Sequence, residues 1–249
     1  MTFLYDRTKL LYNEYRITKG DYQMKNVVIT GAGSGLGASL AKKYHALGYH
    51  VTLLGRTIEK LEDIAKDFKN YTIFPLDVSS HTAVESTFQQ IKETVGTIDI
   101  LVNNAGVGYF DLAENLTPNH IDQMIDVNLK GTIYCTQQVL GEMKTRDAGT
   151  ILNIVSTAGV EGKSTESAYC ASKFGVKGFT ESILKELADT NVHVHGIYMG
   201  GMKTPFWDGI IEEENTGGLM DPEDVADIII ENTKLRRNIN VPSVMIKNH

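Results

Sequence analysis

The chain has 249 residues, with 24 Lys+Arg against 31 Asp+Glu, a formal net charge of -7 and 42% hydrophobic residues. This length can bury one large α/β core, and an acidic balance with no basic run argues against a nucleic-acid partner. No apolar stretch approaches the ~18 residues that a membrane span needs. The two cysteines, Cys135 and Cys170, supply neither a disulfide framework nor a metal-ligand spacing, so a reducing, cytoplasmic setting without a metal is expected.

Residues 1–25 carry Asp6, Glu14 and Asp21 and do not resemble a signal peptide. They read as an N-terminal extension, either packed peripherally or preceding a true start at Met24. From Asn26 onward short apolar runs alternate with longer amphipathic stretches. Strands are predicted over 27–30, 50–54, 71–76, 98–103, 150–155, 192–198 and within 238–246. Helices are predicted over 36–47, 58–69, 80–94, 117–144, 166–189 and 221–233. The alternation predicts an α/β fold of Rossmann type over 26–249: one domain, doubly wound, with a seven-stranded, mainly parallel sheet and helices on both faces. Small or polar residues follow six strand ends (GAGSGLG, GR, DVSS, NAGVG, STAG, MGGMKT) and should line one crevice, because ligands of such sheets bind beyond the C-terminal ends of the strands.

The first of these fragments, with Gly31, Ser34, Gly35, Leu36 and Gly37, joins a strand to a helix. Glycine lets the backbone turn sharply and approach a phosphate, and the free N-H groups of the new helix favour negative charge. The spacing is G-x-x-x-G-x-G rather than G-x-G-x-x-G, and any strand-to-helix turn can collect glycines, so context must decide. After the second strand stands Leu54-Gly55-Arg56. A carboxylate for a ribose 2′-hydroxyl is missing there and a guanidinium is present, which favours the 2′-phosphate of NADP over NAD. A cation at a helix start opposes the helix dipole, and a phosphate ligand would account for it.

Tyr169 and Lys173 stand four apart in SAYCASKFG, a spacing that brings two side chains to one helix face about 6 Å apart along the axis. Tyr5 with Lys9 and Tyr15 with Lys19 share it, so spacing alone does not choose among them.

An ordered set of motifs does. TGAGSGLG, LDV at 76–78, NNAG at 103–106, VNLKG at 127–131, Ser156, Tyr169-x-x-x-Lys173 and the Gly200–Thr204 segment resemble the short-chain dehydrogenase/reductase family over about residues 25–246. The resemblance implies an NADP-dependent oxidoreductase acting on a small carbonyl or alcohol, and it singles out the third Tyr/Lys pair. It further implies Tyr169 as general acid/base, Lys173 lowering its pKa and binding the nicotinamide ribose, Ser156 bonding the substrate oxygen, and Asn128 ordering a water that feeds protons toward Lys173. On the cofactor side it implies Asp77 and Val78 at the adenine, Asn104, Ala105 and Gly106 along the adenosine ribose, and Thr204 at the carboxamide.

The chemistry is consistent in scale. Bringing a tyrosine from ~10 to near neutrality takes ~4 kcal/mol, and one cation at ~4 Å supplies about that much at an effective dielectric of ~20, before desolvation.

Met199 stands where the family usually has proline before Gly200, which predicts a less restrained turn. Phe206 and Trp207 open a stretch over 205–220 that reads either as a lid on the substrate or as a disordered surface loop. Glu212, Glu213 and Glu214 would discourage an anionic substrate if they faced inward. The family pairs helices such as those over 117–144 and 166–189 into homodimers or homotetramers, and Ile121, Met124, Ile125, Leu129, Ile133, Val139, Leu140 and Met143 offer apolar surface for that. Two other functions stay open: a non-catalytic NADP sensor on the same fold, and dehydratase or epimerase chemistry, for which the short C-terminal part leaves little substrate domain.

Overall fold

Seven strands pair in the order β3-β2-β1-β4-β5-β6-β7, and every pairing is parallel. They are β1 (Asn26–Thr30), β2 (His50–Gly55), β3 (Tyr71–Pro75), β4 (Ile100–Asn103), β5 (Gly149–Ile154), β6 (Val192–Met199) and β7 (Ser243–Ile246). This is a computed structural model describing residues 24–210 and 217–249. Residues 1–23, with Tyr5, Lys9, Tyr15 and Lys19, and Glu212, Glu213 and Glu214 lie outside the described residues.

Side chains along a strand alternate between faces, so adjacent apolar residues feed two cores. Val27 and Ile29 pack with α1 (Gly35–Ala46), α2 (Ile58–Ala65) and α7 (Pro222–Thr233), whereas Val28 packs with α3 (His81–Thr94), α5 (Gly131–Arg146) and α6 (Ser167–Glu186). Both faces are covered, which explains why the strands read as continuous apolar runs. The predicted doubly wound fold is the observed one.

Two boundaries differ from expectation for local reasons. The stretch predicted as one helix over 117–144 is three pieces: α4 (Pro118–Met124), six residues of π-helix over Ile125–Lys130, and α5. Such a bulge leaves no mark on apolar periodicity because the chain stays helical through it. The last strand is only Ser243–Ile246; Arg236 and Ile239 instead form an isolated antiparallel bridge.

Strand order reverses between β1 and β4, and β4 and β5 lie on the other side of β1 from β2. A crevice opens where the loops after β1 and β4 diverge.

Candidate active site

The glycine loop is shaped by contacts that forbid a side chain. Gly31 and Gly35 have φ of 65° and 51°, which glycine adopts without strain. A Cβ on Gly37 would lie 2.3 Å from the Gly31 carbonyl oxygen, so the first turn of α1 must approach the loop bare. Ser34 is the N-cap of α1 but makes no side-chain cap, and no acidic residue occupies the first turn. The helix therefore presents its N-terminal dipole to the cleft without a competing anion.

The loop is also tied to β4. Thr30 Oγ1 accepts from the Asn104 and Ala105 backbone N-H groups, both at 3.0 Å, and Asn104 Nδ2 donates to the carbonyls of Thr30 at 3.0 Å and Gly31 at 3.1 Å. Asn104 thus lines the cleft with its backbone while its amide fixes the glycine loop. Thr30 had no functional mark in the sequence; only its partners reveal its place.

Beyond β2, Arg56 is exposed and has no ion pair or hydrogen bond among the described residues. It lines the cleft with Thr57 and Lys60, neither of which the motifs had singled out. Thr57 is the N-cap of α2 and, like Ser34, makes no side-chain cap. Arg56 and Lys60 stand four apart across that helix start and could have been found by applying to them the spacing argument used for Tyr169 and Lys173. Asp77 is exposed and accepts from the Ser79 N-H and hydroxyl at 3.0 and 2.7 Å. Val78 is buried, and its Cγ2 would be 2.7 Å from a Cβ on Gly131, which explains a glycine at the start of α5.

At the other end of the cleft, β5 ends at Ile154, Val155 follows, and the chain turns at Ser156, a non-glycine residue at φ 109°. This strained conformation aims the hydroxyl inward, where it accepts from the Ala158 N-H at 3.2 Å and lies close enough to the Tyr169 phenol to lower its pKa. Tyr169 and Lys173 share one face of α6; Lys173 Nζ lies 5.8 Å from the tyrosine ring centroid and donates to the Ile154 carbonyl at 2.9 Å. Gly106 completes the approach, since a Cβ there would be 3.7 Å from Lys173 Nζ and 3.3 Å from Asn128 Oδ1.

Asn128 is 1% exposed and sits in the π-helical stretch. Its amide clasps Val107, accepting from its N-H at 2.8 Å and donating to its carbonyl at 2.9 Å, and also donates to Ser172 Oγ at 3.0 Å. The side chain is a staple between the β4 loop and α6.

Electrostatics departs from the sequence expectation in one respect. Burial drives the Tyr169 phenol above its ordinary pKa, outweighing the lowering from Ser156, and Lys173 is not among the influences on it. Burial also holds Lys173 down at about 8. A lysine at 5% exposure without a carboxylate partner is costly to charge, yet a pKa of about 8 leaves it protonated at neutral pH. The chain alone does not lower the phenol.

The turn lacking proline is held by other means. Asn248 Nδ2 donates to the carbonyls of Gly201 at 3.0 Å and Gly218 at 2.6 Å, and Met202 bridges to Met220. Thr204 then packs on the glycine loop, its Cβ 3.0 Å from where a Gly35 Cβ would stand. Phe206 reaches Tyr169, with ring centroids 5.9 Å apart, and Phe110 meets Tyr169 edge-on at 5.3 Å and Trp207 at 5.6 Å. Gly108 makes room, since its Cβ would be 2.7 Å from Phe206 Cζ.

Glycine loop, Arg56, Asn104–Gly106, Ser156, Tyr169, Lys173 and Thr204 therefore border one cleft of about 830 Å³. Among the described residues no cluster of His, Cys, Asp and Glu could hold a metal, and no helix is long and apolar enough to cross a membrane.

The pattern described as short chain dehydrogenase matches residues 25–215. The chain belongs to the short-chain dehydrogenase family. Similar to it are an uncharacterized oxidoreductase of Staphylococcus aureus strain MW2, 32% identical over 90% of this chain and 96% of that one, and the 3-oxoacyl-[acyl-carrier-protein] reductase FabG of Rickettsia bellii, 33% identical over 84% and 89%. Among solved structures, the closed form of a serine dehydrogenase complexed with NADP+ is 31% identical, with a TM-score of 0.84 over 88% of this chain and 93% of that chain. As in its relatives, the activity of this short-chain dehydrogenase is that of an oxidoreductase.

Proposed function

We propose that the protein transfers a hydride between NADP(H) and a small carbonyl or alcohol, with Tyr169 as the proton-transferring residue. The observation that carries this reading is the convergence of the Ser156 hydroxyl, the Tyr169 phenol and the Lys173 ammonium at one end of a cleft whose other end is an uncapped helix start behind a glycine loop.

The cradle fits the dinucleotide. The bare approach of Gly37 to Gly31 and the uncapped N-terminus of α1 suit a pyrophosphate, and Arg56, Thr57 and Lys60 suit a ribose 2′-phosphate. The solved relative with NADP+ supports the same choice. Asp77, Val78, Asn104, Ala105, Gly106 and Thr204 all border the cleft, which suits the first two to the adenine, the next three to the adenosine ribose and Thr204 to the carboxamide end. When bound, the nicotinamide supplies or accepts the hydride.

Each protein group then has a task. Ser156 donates its one hydroxyl proton to the substrate oxygen, and Tyr169 gives its proton to that oxygen in reduction or takes one in oxidation. Lys173 binds ribose hydroxyls and passes protons onward. Asn128, by holding Val107 and Ser172, keeps the β4 loop against α6, so that Gly106 leaves space for Lys173. Because the chain alone holds the phenol high, lowering it falls to the bound state: contacts that stabilise the Lys173 ammonium beside it, and the positive ring of the oxidised cofactor.

The exposed Ile121 on α4, the exposed Phe174 on α6 and the half-buried Ile125, Leu129, Ile133 and Leu140 support pairing of two copies through these helices. Met124, Val139 and Met143 belong to the chain's own core and contribute nothing to such a surface.

The test is loss of absorbance by NADPH across a panel of carbonyls. Tyr169→Phe should remove turnover by ~10²–10⁴-fold while leaving NADPH binding in place. A variant that keeps turnover refutes the proton-transfer role, and NADPH binding without turnover of any carbonyl by the intact chain would favour the sensor reading.

A further inference from the structure

Two opposite charges stand in the substrate half of the cleft, and the chemistry above uses neither. Lys163 and Glu166 lie three residues apart on the segment entering α6, and both line the cleft beside Ser156 and Tyr169. Lys163 Nζ donates to Thr157 Oγ1 at 2.9 Å, and Thr157 directly follows Ser156, so the ammonium is held on the serine side. Glu166 precedes Tyr169 by three residues at the N-terminal boundary of α6, which places the two on one helix face. Its charge acts on the phenol and opposes its ionisation.

A carboxylate at a helix start has a bland explanation as a cap, but Glu166 makes no side-chain cap. Burial instead raises its pKa, with Lys163 only partly offsetting this. No ion pair joins Lys163 to Glu166 among the described residues. The cleft thus holds a cation tethered at Thr157 and a partly desolvated anion that acts on Tyr169, with Tyr109, Phe206 and Trp207 among its lining.

We infer that the substrate is a β-hydroxy-α-amino acid or its β-keto counterpart, its carboxylate on Lys163, its ammonium on Glu166 and its β-oxygen between Ser156 and Tyr169. This rests on the reading of Tyr169 given above. In such a molecule both charged groups hang from the carbon next to the reacting one, the shortest reach a hydroxy zwitterion offers. In the oxidising direction the C-H electron pair leaves the β-carbon as hydride and reduces NADP+, the hydroxyl proton passes to the Tyr169 oxygen, and the C=O bond forms. The ammonium has a second effect. By pairing with Glu166 it screens the charge that opposes the tyrosinate, so amine recognition favours the chemical step as well as binding.

The experiment measures kcat/KM with NADP+ for four related alcohols: threonine, 3-hydroxybutyrate without the ammonium, 1-amino-2-propanol without the carboxylate, and 2-butanol without either. Threonine should lead, with each missing charge lowering kcat/KM by ~10–100-fold, about the discrimination expected of one charge-assisted contact. Lys163→Met should lower the ratio of 3-hydroxybutyrate to 2-butanol by ~10-fold, and Glu166→Gln should do the same to the ratio of 1-amino-2-propanol to 2-butanol. Glu166→Gln should also shift the acidic limb of the kcat profile to lower pH, since the tyrosine loses an opposing charge.

Binding is read separately. Trp207 is the chain's single tryptophan and lines the cleft, so threonine should quench its fluorescence in the NADPH-loaded protein. Threonine no better than 2-butanol, or charge ratios unchanged in both variants, overturns the inference while any Tyr169-dependent turnover leaves the hydride-transfer reading standing. Quenching by threonine with no turnover of any alcohol supports the zwitterion site and refutes the proposed chemistry; neither quenching nor turnover overturns both.

Discussion

Lys173→Met should stabilise the cofactor-free protein at neutral pH even as it abolishes turnover. The lysine is 5% exposed and its pKa falls from 10.5 to about 8, with burial as the cause. At ~1.36 kcal/mol per unit, charging it inside the fold costs about 3 kcal/mol at pH 7. Methionine is flexible and of similar length, and it removes that cost while losing the 2.9 Å hydrogen bond to Ile154, worth about 1 kcal/mol. The net gain is about 2 kcal/mol, or a rise in Tm of ~4–8 °C for a chain of this size.

The pH dependence fixes the cause. The unfolded lysine titrates near 10.5 and the folded one at about 8, so between these values the unfolded state binds more protons and the wild type gains stability as pH rises. Below pH 8 the full penalty is present, and above 10.5 it is gone. Thermal unfolding of both proteins between pH 7 and 10 should show the variant's advantage greatest at pH 7 and shrinking above pH 8. A variant less stable than wild type at pH 7, or a difference independent of pH, would refute the argument that Lys173 is held against its own hydration.

Three further substitutions follow from the geometry. Arg56→Asp should weaken NADPH by ~10–100-fold and NADH far less, measured by fluorescence titration, because it replaces a phosphate partner with a like charge; equal losses would remove Arg56 from the 2′-phosphate site. Gly37→Ala places a Cβ 2.3 Å from the Gly31 carbonyl, a backbone clash that side-chain movement cannot relieve. It should reduce NADPH affinity by ~10-fold or more, and an unchanged Kd would show that the loop yields freely. Asn128→Ala removes both partners of the half-buried Val107 backbone and should cost about 1–3 kcal/mol in chemical denaturation, with Asn128→Asp recovering only the bond from the N-H.

How much of this was legible in the sequence depends on whether the signal was local. Strand β1, the glycine loop and α1 follow one another in the chain, so apolar run, glycines and helix could be read in place. The doubly wound parallel sheet could be anticipated from alternation, because parallel strands require crossovers; the strand order could not. What escaped was pairwise and long-range. Thr30 ties down Asn104 and Ala105 across more than seventy residues, and Asn248 secures the turn at Gly201 from the end of the chain. The π-helical stretch around Asn128 escaped for another reason: it changes hydrogen-bond partners without changing which residues are apolar. The acidified tyrosine was misjudged because Coulomb attraction was weighed without the burial of the attracting cation, and burial is a property of the fold.

That last point explains how the two ends of the cleft divide the labour. Arg56 and Lys60 stand in water, where charges cost nothing to maintain and where a phosphate can be captured without rearrangement. Tyr169 and Lys173 are buried with no carboxylate beside the lysine, so each resists its charged form until something enters the cleft. Binding energy gathered at the exposed end can therefore be used at the buried end, where a ligand that hydrogen-bonds Lys173 stabilises its charge and brings it to bear on the phenol. A carboxylate placed next to Lys173 would make the empty protein more comfortable, but it would hold the ammonium in a permanent pair and screen it from Tyr169. The instability of the empty site is what leaves the lysine's charge free to act on the tyrosine once the dinucleotide is in place.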